Sequence, residues 1–199
     1  MPEFVLKQSW PIDAEGVWID VRSPRRAAPC AVLFLDRDGV VIEDRNYVGD
    51  PKDVALIAGA AALIAAANAA DVPVGIVTNQ AGIDRGLYGW DGFAAVTRRI
   101  DELLAREGAR IDAIAATPFH PEFTKGYSAQ HARWRKPGPQ MILALAERLN
   151  ADRARSWLVG DKDIDMQAAK AAGLAGAILV DAVTNVAQAR INLKGLLRE

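Results

Sequence analysis

Residues 34–40 read FLDRDGV, and this stretch indicates the fold more strongly than any other part of the chain. Its first two residues end the apolar run 31–35, and the carboxylates Asp36 and Asp38 follow. An apolar run that ends in acid is typical of a buried parallel strand, and open α/β sheets bind ligands at the carboxyl ends of such strands. Paired acids there suit a divalent cation, with one carboxylate able to act as nucleophile and the other as proton carrier. Because Asp-Gly is also a common turn dipeptide, the stretch alone is equally compatible with an ordinary turn.

The composition predicts a soluble globular protein of the cytoplasm. Among 199 residues, 24 are basic and 25 acidic, so the charge balance favours neither nucleic acid nor an anionic membrane as a partner. The longest apolar run, residues 54–67, has fourteen residues and is too short to span a bilayer. Residues 1–4 show no basic region leading into a hydrophobic stretch, so we expect no secretory signal. The lone Cys30 excludes an internal disulfide and fits a reducing compartment.

Strand-like and helix-like segments alternate after residue 30, which predicts a Rossmann-like α/β fold: a parallel sheet with helices on both faces. The predicted strands are 31–35, 73–77, 112–116, 156–159 and 176–180. The predicted helices are 59–70, 91–107, 138–149, 165–172 and 184–193. We divide the chain into an N-terminal extension, residues 1–30, and a main domain, residues 31–199, with a minimal cap. Within the extension, residues 17–21 (VWIDV) predict an extra strand, and residues 43–52 of the main domain predict a flap beside the first strand.

Three further polar motifs accompany the predicted strands and helices. Residues 78–86 (TNQAGIDRG) begin with a hydroxyl and an amide at a strand end, which can bind phosphate oxygens or cap the next turn. Arg135 and Lys136 precede a helix, where lysine can offset charge on a transferring phosphoryl group, although such basic pairs are more often simply solvated. Residues 158–165 (LVGDKDID) end another strand in an acidic cluster, which suits either metal binding or helix capping.

The order of these motifs resembles that of the haloacid dehalogenase-like phosphohydrolases, from about residue 32 to about residue 180. Within that superfamily, residues 34–41, 78–86, 135–137 and 159–162 are similar to one subgroup. That subgroup contains the D-glycero-D-manno-heptose-1,7-bisphosphate 7-phosphatases and the histidinol-phosphatases. The resemblance implies a phosphomonoesterase that requires Mg²⁺ and acts on a small phosphorylated metabolite. A heptose bisphosphate is the first expectation and histidinol phosphate the second.

The resemblance also implies roles for the acidic residues. Asp36 would attack phosphorus and form an aspartyl-phosphate, and Asp38 would protonate the leaving oxygen and then activate the hydrolytic water. Mg²⁺ would be held by the carboxylates of Asp36 and Asp161, with the backbone carbonyl of Asp38 and waters completing an octahedron. Asp165 would orient Lys136 or a metal-bound water.

The other predicted site residues would contact the substrate. By the same resemblance, Thr78 and Lys136 would grip the phosphoryl oxygens during catalysis. Asn79 and Arg135 would face the leaving group. Arg85, near the end of the motif at residues 78–86, is predicted to bind substrate as well.

One part of the subgroup's pattern is missing. Relatives usually carry a zinc loop ahead of the Arg-Lys-Pro motif, with ligands spaced as Cys-x-His and then Cys-x-Cys. The matching positions here, 117–119 (TPF) and 132–134 (ARW), contain none of these four ligands. The nearby His120 and His131 cannot complete a tetrahedral site by themselves, so we expect no structural zinc. We expect the loop to be held instead by packing of its aromatic residues, which are Phe119, Phe123, Tyr127 and Trp134.

Other functions fit the residues less well. A polynucleotide 3′-phosphatase would need a basic track beside the site, and the sequence shows none. A receiver-type signalling domain also pairs acids with lysine, but residues 34–40 and 78–86 do not match that pattern. Histidinol-phosphate phosphatase and a non-catalytic phosphate-binding regulatory module therefore stay as alternatives. The sequence predicts no particular oligomeric state.

Overall fold

The computed structural model describes residues 10–181 and 185–197, so the first nine residues of the predicted extension, residues 182–184 and residues 198–199 lie outside the described part. The strands are β1 (Trp18–Val21), β2 (Leu33–Leu35), β3 (Val74–Asn79), β4 (Ala113–Thr117), β5 (Trp157–Gly160) and β6 (Gly176–Leu179). The α-helices are α1 (Ala60–Ala69), α2 (Trp90–Arg106), α3 (Ala129–Trp134), α4 (Gln140–Leu149), α5 (Asp163–Ala172), α6 (Val186–Asn192) and α7 (Lys194–Leu197). Among the described residues, no helix has the length and hydropathy that a membrane crossing requires.

The six strands form one sheet in the order β1-β4-β3-β2-β5-β6. Strands β2 to β6 are parallel, which confirms the predicted Rossmann-like class. The extra strand of the extension is also confirmed, but it departs from the parallel arrangement: β1 pairs antiparallel with β4, with Trp18 opposite Ala116. Without β1, strand β4 would be an edge with unpaired backbone groups, and the β-branched and aromatic residues of β1 suit that position.

The central strand β2 places the motifs at one sheet edge. Leu35 lies opposite Ile76 of β3 on one side and opposite Val159 of β5 on the other. The three strands run in the same direction, so their polar continuations leave the sheet together. Asp36 still belongs to the ladder, because its backbone N–H donates to the carbonyl of Val159 at 2.9 Å.

Helices cover both faces of the sheet, and the side chains of β2 alternate between them. Leu33 and Leu35 join the core under α1, α2 and α6, whereas Phe34 joins the core under α4 and α5. Helix α2 buries one apolar stripe at helical spacing, formed by Phe93, Val96, Ile100 and Leu104. Because both faces of β2 are buried, its sequence is a continuous apolar run.

The predicted elements agree with the observed ones to within two residues at each described boundary. Helices α3 and α7 were not predicted, because six and four residues are too few to show a helical period. Residues 43–52 contain no α-helix, as expected, and end at a single 3₁₀ turn, Pro51–Asp53. This flap is joined to the body of the protein where Glu43 N–H donates to Ala55 O at 3.0 Å.

Candidate active site

A cleft of about 370 Å³ opens at the carboxyl edge of the sheet, beneath the flap. Six of the predicted site residues line it, namely Asp36, Asp38, Thr78, Asn79, Arg135 and Lys136. Asp161 lies beside Asp36 just outside the lining, and Arg85 lies farther out on the rim. A larger cleft of about 700 Å³ lies at the opposite edge, but its arginines Arg26 and Arg155 are paired with Asp71 and Asp152. The chemistry of the motifs is therefore concentrated in the smaller cleft.

Lys136 is the centre of the buried part of the cleft. Its Nζ lies 2.9 Å from Asp36 Oδ1 and 2.6 Å from Asp165 Oδ1, and it donates to the carbonyl of Val77 at 2.9 Å. Lys136 is 2% exposed and Asp165 is 0% exposed, so this ion pair is shielded from solvent. A buried cation is tolerated only when partners surround it, and here three oxygens do so. Asp165 thus contacts Lys136 directly.

The electrostatics of this group depend on burial first. Burial raises the pKa of Asp36 to about 7; Lys136 opposes the rise, whereas Asp165 and Asp38 add to it. Burial by itself lowers the pKa of Lys136, but the carboxylates of Asp36 and Asp165 outweigh that effect and raise it above its ordinary value. Asp36 therefore needs positive charge beside it to be an ionised nucleophile near neutral pH, and a divalent cation would supply more of it.

The acidic cluster fits a divalent cation. Asp36, Asp161 and Asp165 each offer a carboxylate oxygen, and these oxygens lie within 4.8 Å of one another. Asp161 Oδ1 is buried and has no hydrogen-bond partner among the described residues, as expected of an oxygen that awaits a ligand. Gly39 allows Asp161 to approach, since a Cβ at Gly39 would lie 2.3 Å from Asp161 Oδ2 and its φ is +82°. Both oxygens of Asp165 are engaged, Oδ1 by Lys136 and Oδ2 by the backbone N–H of Lys162. Asp36 contacts Lys136 and the Arg37 N–H through Oδ1 alone, so Asp36 and Asp161 are the carboxylates better placed to hold a metal.

Asp38 is held by two side chains that the sequence reasoning did not include. Arg37 grips both carboxylate oxygens, with Nε 3.1 Å from Oδ2 and Nη2 3.0 Å from Oδ1. Gln80 Nε2 also donates to Asp38 Oδ2 at 2.9 Å. Arg37 is almost fully buried and its guanidinium lies 5.5 Å from the centre of the Phe93 ring. A forked, charge-assisted contact of this kind fixes the orientation of the carboxylate that faces the cleft.

Thr78 and Asn79 occupy the end of β3 as predicted, but their partners differ. Thr78 is 1% exposed and its hydroxyl accepts from Gln80 Nε2 at 2.7 Å. Asn79 donates through Nδ2 to the carbonyl of Lys136 at 3.1 Å and accepts through Oδ1 from the Lys136 N–H at 3.0 Å. Asn79 therefore fixes the backbone of Lys136 from across the cleft, in addition to lining it.

Arg135 and His120 form the far wall of the cleft. Arg135 Nη1 donates to the carbonyl of Phe119 at 3.0 Å, which leaves the rest of its guanidinium toward the opening. His120 accepts at Nδ1 from the N–H of Glu122 at 3.2 Å and stacks on Phe123. Burial, and then the charge of Arg135, lowers the pKa of His120, so it is neutral near pH 7 and carries its proton on Nε2.

Arg85 is placed outside the cleft lining. Its guanidinium lies 5.0 Å from the centre of the Tyr47 ring and 4.5 Å from that of Phe123, and it donates to the Tyr47 hydroxyl at 2.8 Å. In this position Arg85 joins the flap to the segment after β4, and it does not reach Asp36 and Lys136.

The cleft also contains residues that were not predicted as site residues, and Arg37, Gln80 and His120 are three of them. Arg37 and Gln80 lie inside the motifs that were singled out, so their position was a usable signal. Their partners were not predictable, because Gln80 and Asp38 are 42 positions apart and meet only through the pairing of β2 with β3. His120 was considered only as a metal ligand.

Comparison with known proteins agrees with this geometry. The family described as HAD-hydrolase-like matches residues 133–193. A D-glycero-β-D-manno-heptose-1,7-bisphosphate 7-phosphatase from Mesorhizobium japonicum is 44% identical over 172 residues, which is 86% of this chain and 79% of that protein. The crystal structure of a putative HAD-like phosphatase from Mesorhizobium loti has a TM-score of 0.80 and 42% identity, and covers 87% of this chain and 84% of its own.

A second solved structure adds a ligand to the comparison. The D,D-heptose 1,7-bisphosphate phosphatase of B. bronchiseptica, solved with magnesium and phosphate, has a TM-score of 0.72 and 29% identity. The match covers 83% of this chain and 98% of that one. The fold, the acid-and-lysine cleft and these matches together define a haloacid dehalogenase-like phosphatase. Within that class, the chain belongs to the heptose-1,7-bisphosphate 7-phosphatase family, as the motifs had indicated.

Proposed function

We propose that this protein removes the 7-phosphate from D-glycero-D-manno-heptose 1,7-bisphosphate through an aspartyl-phosphate intermediate. The observation that carries the proposal is the buried contact of Lys136 with Asp36, beside the unpaired oxygen of Asp161. These are the parts that phosphoryl transfer needs: a nucleophile, a fixed cation and a site for a metal. The relative of 44% identity bears the name of this activity, with the β anomer of the sugar.

The first half of the reaction uses Asp36 and Asp38. A carboxylate oxygen of Asp36 forms a bond to phosphorus while the bond from phosphorus to the C7 oxygen breaks. Asp38, protonated, gives its proton to that departing oxygen, which leaves as the hydroxyl of the sugar. Asp38 is left as the carboxylate that the second half requires, and its contacts with Arg37 and Gln80 hold it in position.

The second half restores the enzyme. Asp38 takes a proton from a water that attacks the phosphorus of the aspartyl-phosphate, and the bond from phosphorus to Asp36 breaks to release inorganic phosphate. Lys136 offsets the negative charge that develops on the phosphoryl oxygens, and Thr78 offers its hydroxyl to them. Mg²⁺, held by Asp36 and Asp161 with the carbonyl of Asp38, would supply further charge stabilisation there.

We also propose the extent of the catalytic domain, the kind of partner and the cellular compartment. Residues 31–199 form the catalytic domain, and the extension of residues 1–30 adds β1 to its sheet. The partner is a small phosphorylated metabolite, without nucleic acid or membrane, and the place is the cytoplasm. The net charge of −1 and the lone Cys30 support these assignments.

The experiment that tests the proposal compares substrates. We expect kcat/KM to be highest for D-glycero-D-manno-heptose 1,7-bisphosphate, lower for histidinol phosphate and lowest for p-nitrophenyl phosphate. Both anomers of the heptose should be compared, with the β anomer expected to be preferred. If histidinol phosphate is hydrolysed faster than the heptose, the alternative substrate stands. If none of the three is hydrolysed and the protein only binds phosphate, it is a regulatory module.

A further inference from the structure

The segment of residues 118–135 connects β4 to Lys136 and forms one side of the cleft mouth. Its rings pack on one another: Phe119 lies 4.4 Å from His131, His120 lies 4.5 Å from Phe123, and Tyr127 lies 5.7 Å from His131, all between ring centres. Ring contacts of this kind stabilise a loop only modestly. At the end of this segment, Asn79 fixes the backbone of Lys136, and the buried indole N–H of Trp134, two residues earlier, needs a contact of its own.

The N-terminal extension supplies that contact through a tight turn at residues 13–17. Glu15 accepts a hydrogen bond from the indole Nε1 of Trp134 and another from Gln130 Nε2 at 2.8 Å. The position that a Cβ of Gly16 would take lies 3.8 Å from the Phe119 ring, and Val17 is fully buried in the same core as Phe119 and Trp134.

The pairing of β1 with β4 explains why the turn reaches this segment. Trp18 lies opposite Ala116 in an antiparallel register, so residues before 18 run beside residues after 116. The Asp13 side chain fixes the turn, because its Oδ1 accepts from the N–H groups of Glu15 and Val17, both at 3.0 Å. Glu15 is thereby presented to Trp134 by a local structure that does not depend on the cleft.

We propose that Glu15 is a positioning residue for the active site, because it holds Trp134 and thereby fixes the placement of Arg135 and Lys136. Trp134 is 6% exposed, and a buried indole N–H needs an acceptor. The carboxylate of Glu15 provides that acceptor and so fixes Trp134. Trp134 directly precedes Arg135 and lies two residues before Lys136, which is paired with Asp36. The turn at residues 13–17 contacts the rings of Phe119 and Trp134. These two residues occupy two of the four positions at which similar enzymes usually carry zinc ligands. The inference rests on the proposed function for its catalytic consequence.

The test uses four single variants of the full chain and the double variant that combines Glu15→Ala with Trp134→Phe. Glu15→Ala removes the acceptor, Glu15→Gln keeps an oxygen that can accept from the indole, and Trp134→Phe removes the indole N–H while keeping a ring. Arg22→Gln is the matched control, because Arg22 is at the other end of β1 and pairs with Asp20 and Asp101, away from the cleft. Each variant is measured for kcat and KM with p-nitrophenyl phosphate, and for amide hydrogen exchange without substrate.

We expect Glu15→Ala to lower kcat about tenfold with little change in KM, because a misplaced Lys136 weakens transition-state contacts more than binding. Glu15→Gln should stay within about threefold of wild type, and Trp134→Phe combined with Glu15→Ala should be no worse than either alone. Exchange should rise in residues 119–136 for Glu15→Ala and not for Arg22→Gln.

The inference is overturned if Glu15→Ala leaves kcat within twofold of wild type, or if Arg22→Gln lowers kcat equally. It is also overturned if the effects of the two changes multiply, or if exchange in residues 119–136 does not move. The exchange measurement needs no substrate. If the wild-type protein hydrolysed no phosphate ester, the proposed function would be refuted. The amide hydrogen exchange of residues 119–136 would still test whether Glu15 anchors this segment.

Discussion

The inner wall of the cleft consists of four buried residues, Asp36, Thr78, Lys136 and Asp165. Lys136 is paired with Asp36 at 2.9 Å and with Asp165 at 2.6 Å, and the Thr78 hydroxyl accepts from Gln80 at 2.7 Å. The rim, formed by Tyr47, Arg85, His120 and Phe123, is held mainly by stacked rings and cation–π contacts, and Tyr47 is 42% exposed. Buried pairs fix geometry because leaving one partner unpaired is costly, whereas exposed contacts contribute little. The comparison teaches that the geometry of the inner wall is fixed by burial, whereas the rim can adjust. We therefore expect substitutions in the inner wall to affect the reaction with every substrate, and substitutions at the rim to affect the choice between substrates.

The change with the largest expected effect breaks the inner wall. Asp36→Asn keeps the shape of the side chain but removes the nucleophile and one metal ligand together, so we expect turnover to fall at least about a thousandfold. Folding should survive, because Lys136 remains paired with Asp165. Steady-state phosphate release and thermal unfolding measure the two effects.

The matched control is Asp163→Asn, an exposed acid at the start of α5. It should change turnover by less than about twofold, as is usual for a surface substitution. Retention of more than a tenth of wild-type turnover by Asp36→Asn would remove the nucleophile assignment.

The second prediction is that the inner wall requires a metal ion for activity and that the rim does not. EDTA should abolish turnover until Mg²⁺ is returned, since Asp36 and Asp161 are the carboxylates better placed to hold it. Asp161→Asn should raise the Mg²⁺ concentration for half-maximal activity at least about tenfold, because it removes one of the charges that hold the cation. The rim should need no metal, so elemental analysis of the purified protein should find no stoichiometric zinc. One tightly held zinc per chain would refute this and would point to His120 and His131 as ligands.

The smallest expected effect lies at the boundary between inner wall and rim. Arg135→Lys should cost about 1–3 kcal/mol in kcat/KM for the heptose substrate, because lysine cannot copy the forked contact of a guanidinium with the leaving group. The cost should be much smaller for p-nitrophenyl phosphate, which offers no second contact. Arg99→Lys is the matched control, because Arg99 pairs with Glu102 on α2 and does not line the cleft, and it should stay within about threefold for both substrates. Equal losses on both substrates for Arg135→Lys would mean that Arg135 serves the common phosphoryl step.

The two regions also differ in how far their residues were predictable. Asp36 and Asp161 directly follow β2 and β5, and Thr78 lies at the end of β3, so the parallel strands bring these three residues to one edge of the sheet. Lys136 instead precedes a helix, and its place in the site was predicted from the resemblance to known phosphohydrolases. The partners of these residues were harder to predict, as the contacts of Asn79 with the backbone of Lys136 show. Those contacts join residues 57 positions apart, and no local pattern encodes them.

The sequence by itself determined the fold class, through alternating apolar strand-like and helix-like segments, and the reaction type, through the resemblance of its ordered motifs to those of known phosphohydrolases. Only the tertiary structure decided that β1 pairs antiparallel with β4, that Arg37 and Gln80 hold Asp38, and that Glu15 meets Trp134. The physical reason is that periodicity reports which face of an element is buried, whereas the partner of a polar side chain is set by the register and packing of distant elements.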